Sequence, residues 1–136
     1  GVIENLTGNV LFHGIQVKPG MPTMLSVVED IPVLSLSGNP FAVAALFELL
    51  AGGYLADRAE EVYIQKKETK VLRQTFVKTG KPKRIVKGKC DEEGVFLPQI
   101  QRNGQLKNGI GSNCLVVFPE GERTYPEGEK VQVIRI

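Results

Sequence analysis

Leu34-Ser35-Leu36-Ser37-Gly38-Asn39-Pro40-Phe41-Ala42-Val43-Ala44-Ala45-Leu46-Phe47-Glu48-Leu49-Leu50 changes character once, at Ser37-Gly38-Asn39-Pro40. Ahead of that turn, Ile31–Leu36 is a short apolar run bounded by turn residues, which reads as a strand. Behind it the apolar run is too long for a strand and reads as a helix. Asn39 suits the N-cap and Pro40 the first helical position. The helix is expected over about Pro40–Ala51, with Gly52-Gly53 interrupting it. Glu48 is its one charge. A helix apolar on nearly every face needs cover on more than one side, from a partner subunit or from further parts of the domain.

Working towards the amino terminus, Glu29-Asp30 separates Ile31–Leu36 from the strand Thr23–Val28 by two residues, which predicts a hairpin. Val10–His13 reads as a short buried strand, and residues 1–8 as the end of a helix capped by Gly8. Residues 1–57 are therefore expected to form a partial α/β domain. Towards the carboxyl terminus the helical period disappears near Asp57–Glu61. Residues 58–136 are expected to form a second, small β domain, a barrel or a sandwich. Its strands are expected at Glu61–Lys66, Val71–Val77, Arg84–Cys90, Val95–Gln101, Leu115–Phe118 and Lys130–Ile136. Turn chemistry punctuates it at Thr79–Pro82, Asp91–Gly94, Asn103-Gly104, Asn108-Gly109, Pro119–Glu122 and Pro126–Glu129.

The chain has 136 residues, 42% of them hydrophobic, and a net charge of +2. That size allows one ordinary domain or two small ones. So small a charge does not by itself imply a polyanionic partner. No apolar run near the length needed to span a bilayer is expected, and the start Gly1-Val2-Ile3-Glu4-Asn5 lacks the basic region of a signal peptide. Cys90 and Cys114 have no CxxC context and read as free thiols suited to a reducing cytoplasm. His13 is the one histidine, which excludes a His-rich metal site; at a strand end it reads as a structural residue. Lys66–Lys89 carries ten basic residues and one acid, Glu68. Nucleic-acid binding through phosphate contacts is possible for such a run, but Phe76 is its one aromatic, so a solvated sheet face is the expected reading.

Two loops carry the candidate chemistry. In Val17-Lys18-Pro19-Gly20-Met21-Pro22-Thr23 the proline fixes φ and the glycine permits close approach to the backbone, holding the Lys18 ammonium in place. Ser37-Gly38-Asn39-Pro40 lies where a strand ends and a helix begins, the usual place for a ligand in α/β sheets. Helix-start N–H groups and the helix dipole favour an anion. Lys18, Pro19, Gly20, Ser37, Gly38, Asn39 and Pro40 are the candidate anion-binding residues, and the expected ligand is a phosphate or another oxyanion.

Phe12-His13-Gly14-Ile15-Gln16-Val17-Lys18-Pro19-Gly20-Met21-Pro22-Thr23, a hairpin, and Leu36-Ser37-Gly38-Asn39-Pro40-Phe41-Ala42-Val43 resemble, in that order, the HGVxxKPGKP and LPGNPVAA motifs of the molybdopterin molybdotransferase family (MoeA and the gephyrin E domain). The resemblance spans the chain but corresponds to about the last third of a family member. It implies the C-terminal half of a molybdopterin-binding-type three-layer α/β domain followed by a small β-barrel. It implies a transferase that inserts molybdate into adenylylated molybdopterin with release of AMP, using magnesium, in a cytoplasmic homodimer. Lys18 matches the first lysine of KPGKP and is assigned anion binding. Gly38, Asn39 and Pro40 match the GNP turn. Arg84 and Lys87 resemble the RFVRG-like strand and are possible second-site contacts. Met21 and Ser37 depart from the motifs, and Gln101-Arg102-Asn103-Gly104 stands where the family has a serine-bearing loop. The family's TGDE-type and GGxSxGxxD-type acidic motifs do not occur, so the magnesium ligands are expected outside this polypeptide and the chain is expected to be inactive alone. The alternatives are a non-catalytic binding or scaffold paralogue of the same fold and, less favoured, a basic β-barrel that binds nucleic acid.

Overall fold

The computed structural model describes residues 2–5, 8–60, 65–98 and 111–136. The expected turns at Asn103-Gly104 and Asn108-Gly109, and the loop at Gln101–Gly104, lie outside these residues. The first half begins with α1 (Val2–Asn5), β1 (Asn9–His13) and the two-residue β2 (Val17–Lys18). Then come β3 (Met24–Val28) and β4 (Ile31–Ser35). The expected hairpin is present: β3 and β4 pair antiparallel with Val28 opposite Ile31. Glu29 and Asp30 take φ of 49° and 64°, the double positive φ of a primed two-residue turn. β1 adds to the other edge of β3, giving the order β1-β3-β4. β1 is not the buried strand expected: Leu11, Phe12 and His13 are exposed. This three-stranded sheet leaves one side of its edge strand uncovered.

The helix starts as expected. Asn39 Oδ1 accepts from Phe41 N at 3.0 Å and from Ala42 N at 3.2 Å. Its end differs. α2 (Pro40–Leu46) continues through a π-helical stretch, Phe47–Ala51, into α3 (Gly52–Arg58). Gly52 keeps helical dihedrals, φ −54° and ψ −49°, so the glycine pair weakens the helix without stopping it. Pro40–Arg58 is thereby 19 residues long, and among the described residues it is the one helix long and apolar enough to cross a membrane, by length and composition only. One stripe of it, Ala42, Ala45 and Leu46, is buried, and Ala45 and Leu46 pack with Ile85, Leu115 and Ile134. Val43, Phe47, Leu50, Tyr54 and Leu55 remain exposed.

The second half contributes β5 (Lys67–Val71), β6 (Phe76–Lys78), β7 (Lys83–Cys90) and β8 (Val95–Phe96). It ends with β9 (Cys114–Phe118), β10 (Arg123–Tyr125) and β11 (Lys130–Arg135). The expected barrel is not formed. The main sheet has the open order β2-β7-β9-β11-β5, with β8 on β7, and β6 and β10 make a separate ribbon. Its end strands do not meet. β2 is only two residues long, and β5 ends the sheet with Lys67, Glu68 and Lys70, a charged edge that discourages further pairing. The three-layer half-domain is likewise replaced by a mixed α/β region: a three-stranded sheet, and a helix lying on the larger sheet.

Side-chain alternation along β7, β9 and β11 gives that sheet two apolar faces. One holds Val86, Val116, Phe118, Val131 and Val133 with Leu72, Val95 and Leu97. There Phe118 stacks on Phe76 at 4.4 Å and meets Tyr125 edge-on at 4.8 Å. The other carries the helix. The turns at Gly80 and Gly121 are fastened by the buried Lys78, whose ammonium donates to both carbonyls. Gly80 N donates to Glu122 Oε1 at 2.9 Å.

Candidate functional site

The loop around Lys18 is tied down by its own backbone. Gly14 N donates to Thr23 O and Ile15 N to Met21 O, both at 2.8 Å. The buried Thr23 returns its hydroxyl to Gly20 O at 2.7 Å. Gly20 has φ +115°, and a Cβ on it would lie 2.2 Å from Leu46 Cδ1. The close approach expected at this glycine is therefore made by the helix, and Pro19-Gly20 locks the loop to α2.

The arrangement that sequence could not reveal is the partner of β2. It joins β7 in parallel, with Val17 opposite Lys83 and Lys18 opposite Arg84. Lys83 N donates to Gln16 O at 2.9 Å, extending the ladder. Lys18 from the first loop and Arg84 from the expected second-site strand are thus neighbours on one edge. Among the described residues neither enters an ion pair. Like charges directly across a ladder repel each other. An oxyanion between them would remove that cost, with the guanidinium offering a planar fork and the ammonium a point charge.

Lys87 stands on the alternate face of β7, with Ile85, and its Nζ lies 4.7 Å from the centroid of the Phe41 ring. Phe41 is the second residue of α2, so this cation–π contact links β7 to the start of the helix. Sequence reading missed Phe41 as a residue that holds another in place. An aromatic just inside the helix start, together with a lysine on the helix-facing side of β7, was the signal available.

At Ser37-Gly38-Asn39-Pro40 the geometry is mixed. Gly38 is exposed and a Cβ there would meet nothing within 4 Å, so its backbone is open to a ligand. The helix-start donors behind it are engaged: Pro40 has none, and those of Phe41 and Ala42 go to Asn39 Oδ1. Asn39 thus serves the helix, and the open groups of this turn lie at Ser37 and Gly38. A hollow of about 190 Å³ opens between helix and sheet, lined by Val17, Leu46, Leu49, Ile85, Lys67 and Lys83 among others. None of the seven candidate anion-binding residues lines it.

The basic run Lys66–Lys89 does not make one continuous patch. Lys78 is buried, Lys70 pairs with Glu68 at 3.6 Å, and Arg73 pairs with Glu93 at 3.0 Å. His13 is exposed at the end of β1. Among the described residues no group of three or more histidines, cysteines or carboxylates could hold a metal ion. They do not fit the magnesium that the motifs imply, and the Lys18–Arg84 edge repels a cation.

Residues 71–136 match the model of a protein family described as MoeA C-terminal region (domain IV). A protein of Methanocaldococcus jannaschii named as a molybdopterin biosynthesis protein is 32% identical over 126 residues, covering 93% of this chain and 30% of its own length. The molybdopterin molybdenumtransferase of Bacillus subtilis is 27% identical over 144 residues, covering 99% of this chain and 33% of its own. A solved structure of the molybdopterin biosynthesis MoeA protein from Pyrococcus horikoshii superposes with a TM-score of 0.83 at 28% identity, over 98% of this chain and 33% of that one. The chain spans about a third of the length of the curated relatives it matches.

Proposed function

The chain belongs to the MoeA family, and on that premise we propose that it serves molybdenum cofactor biosynthesis as part of a protein that inserts molybdate into adenylylated molybdopterin and releases AMP. The observation that carries this reading is the register of Lys18 against Arg84. Phosphate and molybdate are both oxyanions, and this edge sets two cations side by side with no carboxylate partner among the described residues. Lys18 and Arg84 bind the anion directly. Pro19 and Gly20 hold the loop in place. Ser37 and Gly38 offer an open stretch of backbone, Asn39 and Pro40 set the helix that follows, and Lys87 is held beside that helix by Phe41. The acidic groups that would hold magnesium belong to other parts of the full-length protein, which on this reading is a cytoplasmic homodimer. Insertion chemistry therefore needs those parts, and this chain alone binds without turning over.

The test is calorimetric titration of the purified chain with adenylylated molybdopterin. Binding that weakens tenfold or more in Lys18→Ala and in Arg84→Ala, with a non-additive double variant, is the expected result. Binding indifferent to both substitutions overturns the reading. A molybdate-insertion assay should show no turnover by the chain alone, and full turnover would refute its dependence on the rest of the protein. The scaffold alternative is favoured by one observation, the commitment of the helix-start donors to Asn39. It predicts a folded chain with no affinity for the nucleotide.

A further inference from the structure

The hollow of about 190 Å³ between helix and sheet lies apart from the Lys18–Arg84 edge. Its floor is the helix-facing side of the main sheet, with Ile85 on β7, Val117 on β9 and Ile134 on β11. Its roof is Leu46 of α2 with Leu49 and Leu50 of the π-helical stretch Phe47–Ala51. Leu49 and Val117 pack against the buried cluster yet stay only partly buried, because the hollow takes one side of each. Close-packed interiors hold few voids of this size, and an apolar cavity of about 150 Å³ already admits benzene. π-Helical turns are rare and occur frequently at functional sites. The mouth is basic. Lys83 lines it from β7 and Lys67 from β5, with β9 and β11 between them. Both side chains are exposed, and among the described residues neither enters an ion pair. Gln65 and Gln132 are the other polar lining groups, and no carboxylate lines the hollow. Alternation along β7 puts Lys83 with Ile85 on the helix side and Arg84 with Val86 on the other.

We propose that this hollow binds a free medium-chain carboxylate of about six to ten carbons. The alkyl chain lies between the roof leucines and the apolar floor, where it removes hydrocarbon of both partners from water. The carboxylate stays at the mouth, where the Lys67 and Lys83 ammonium groups attract an anion and repel a cation. The walls supply no acid to hold an amine, and the apolar lining gives nothing to a small hydrophilic anion. A long acyl chain exceeds the volume, so the occupant is the free short acid and not the tail of a membrane lipid. Because the roof belongs to the first half of the chain and the floor to the second, the ligand bridges both.

The experiment titrates the full chain, isotope-labelled at its methyl groups, with sodium octanoate below its micelle-forming concentration, followed by nuclear magnetic resonance. Saturable shifts at the methyls of Leu46, Leu49, Val117 and Ile134, with cross-relaxation from the octanoate chain to them, are the expected result. Affinity should rise about three- to fourfold for each methylene from butanoate to octanoate and level off by about ten carbons. Octylammonium should bind several-fold more weakly than octanoate, and the Lys67→Gln, Lys83→Gln double variant should remove that preference. Inorganic phosphate in excess, a ligand suited to the Lys18–Arg84 edge, should not displace octanoate. Shifts without saturation, shifts centred on the exposed Val43, Phe47 and Tyr54, affinity still climbing at hexadecanoate, equal binding of octylammonium, or displacement by phosphate would each overturn the proposal. The methyl readings use the unaltered chain, so they stand whether or not the lysine variant folds.

Discussion

At Gly20 an added methyl group would meet Leu46 Cδ1 at 2.2 Å in a backbone with φ +115°, whereas at Gly38 it would meet nothing within 4 Å. The two glycines of the candidate loops therefore do different work. Gly20→Ala should destabilise the chain by about 1–3 kcal/mol in a urea titration, through overpacking and an unfavourable dihedral. Gly38→Ala should leave stability within about 0.5 kcal/mol, so that any loss of anion binding it causes reports an approach of ligand to that backbone. An unchanged affinity in Gly38→Ala would remove this turn from the site. Cys114 supplies the residue-scale pH dependence. Its thiol is raised from 9.0 to about 12 in the folded state. Between those values the unfolded chain has lost a proton that the folded chain keeps. The contribution is whole below pH 9 and is lost as pH rises towards 12, by at most about 1.4 kcal/mol per unit. Urea midpoints from pH 8 to 11 should therefore fall more steeply for the natural chain than for Cys114→Ala.

Among the elements, the ones read correctly are those whose signals are local. Asn39-Pro40 announces a helix start, and the structure closes it with the two hydrogen bonds to Asn39 Oδ1. Glu29-Asp30 announces a hairpin, and both residues take positive φ. Neither is suited to that conformation as glycine or asparagine is, so replacing the pair by Asn-Gly should stabilise the chain by about 0.5–1 kcal/mol. A raised thermal midpoint with an unchanged circular dichroism spectrum would show it, and a lowered one would contradict the turn. What misled sequence reading was non-local. Gly52-Gly53 looks like a stop, yet the helix passes through it after a π-helical stretch, because no proline or cap follows to end it. Several short strands at even spacing suggest closure, but whether the end strands meet depends on a register no short segment encodes. The pairing of Lys18 with Arg84 joins strands far apart in sequence. Neither loop carries a local signal for that neighbour, and Arg84 was named beside Lys18 only through the resemblance.

In the whole molecule, the helix side of the main sheet is where the two halves of the chain meet. Ile15, Val17, Leu36, Phe41, Ala45, Leu46 and Leu49 from the first half share one cluster with Ile85, Leu115, Val117 and Ile134 from the second. The parallel β2–β7 ladder crosses the same seam. Neither half can withdraw without exposing the apolar face of the other, and a helix with this exposed row of Phe47, Leu50 and Tyr54 gains most of its cover from the sheet. Heating should therefore unfold the described elements in one transition, with calorimetric and van't Hoff enthalpies in agreement. Ile85→Ala, placed on the second half, should cost about 2–5 kcal/mol and lower the helical and sheet signals together. Two separable transitions, or a variant that loses sheet signal while the helix persists, would mean that the halves stand independently. The Lys18–Arg84 edge would then be a contact between bodies free to part, and the affinity of the anion site would vary with whatever held them together. A single transition makes that edge a fixed part of the fold, so that Lys18→Ala and Arg84→Ala can be compared on one scaffold.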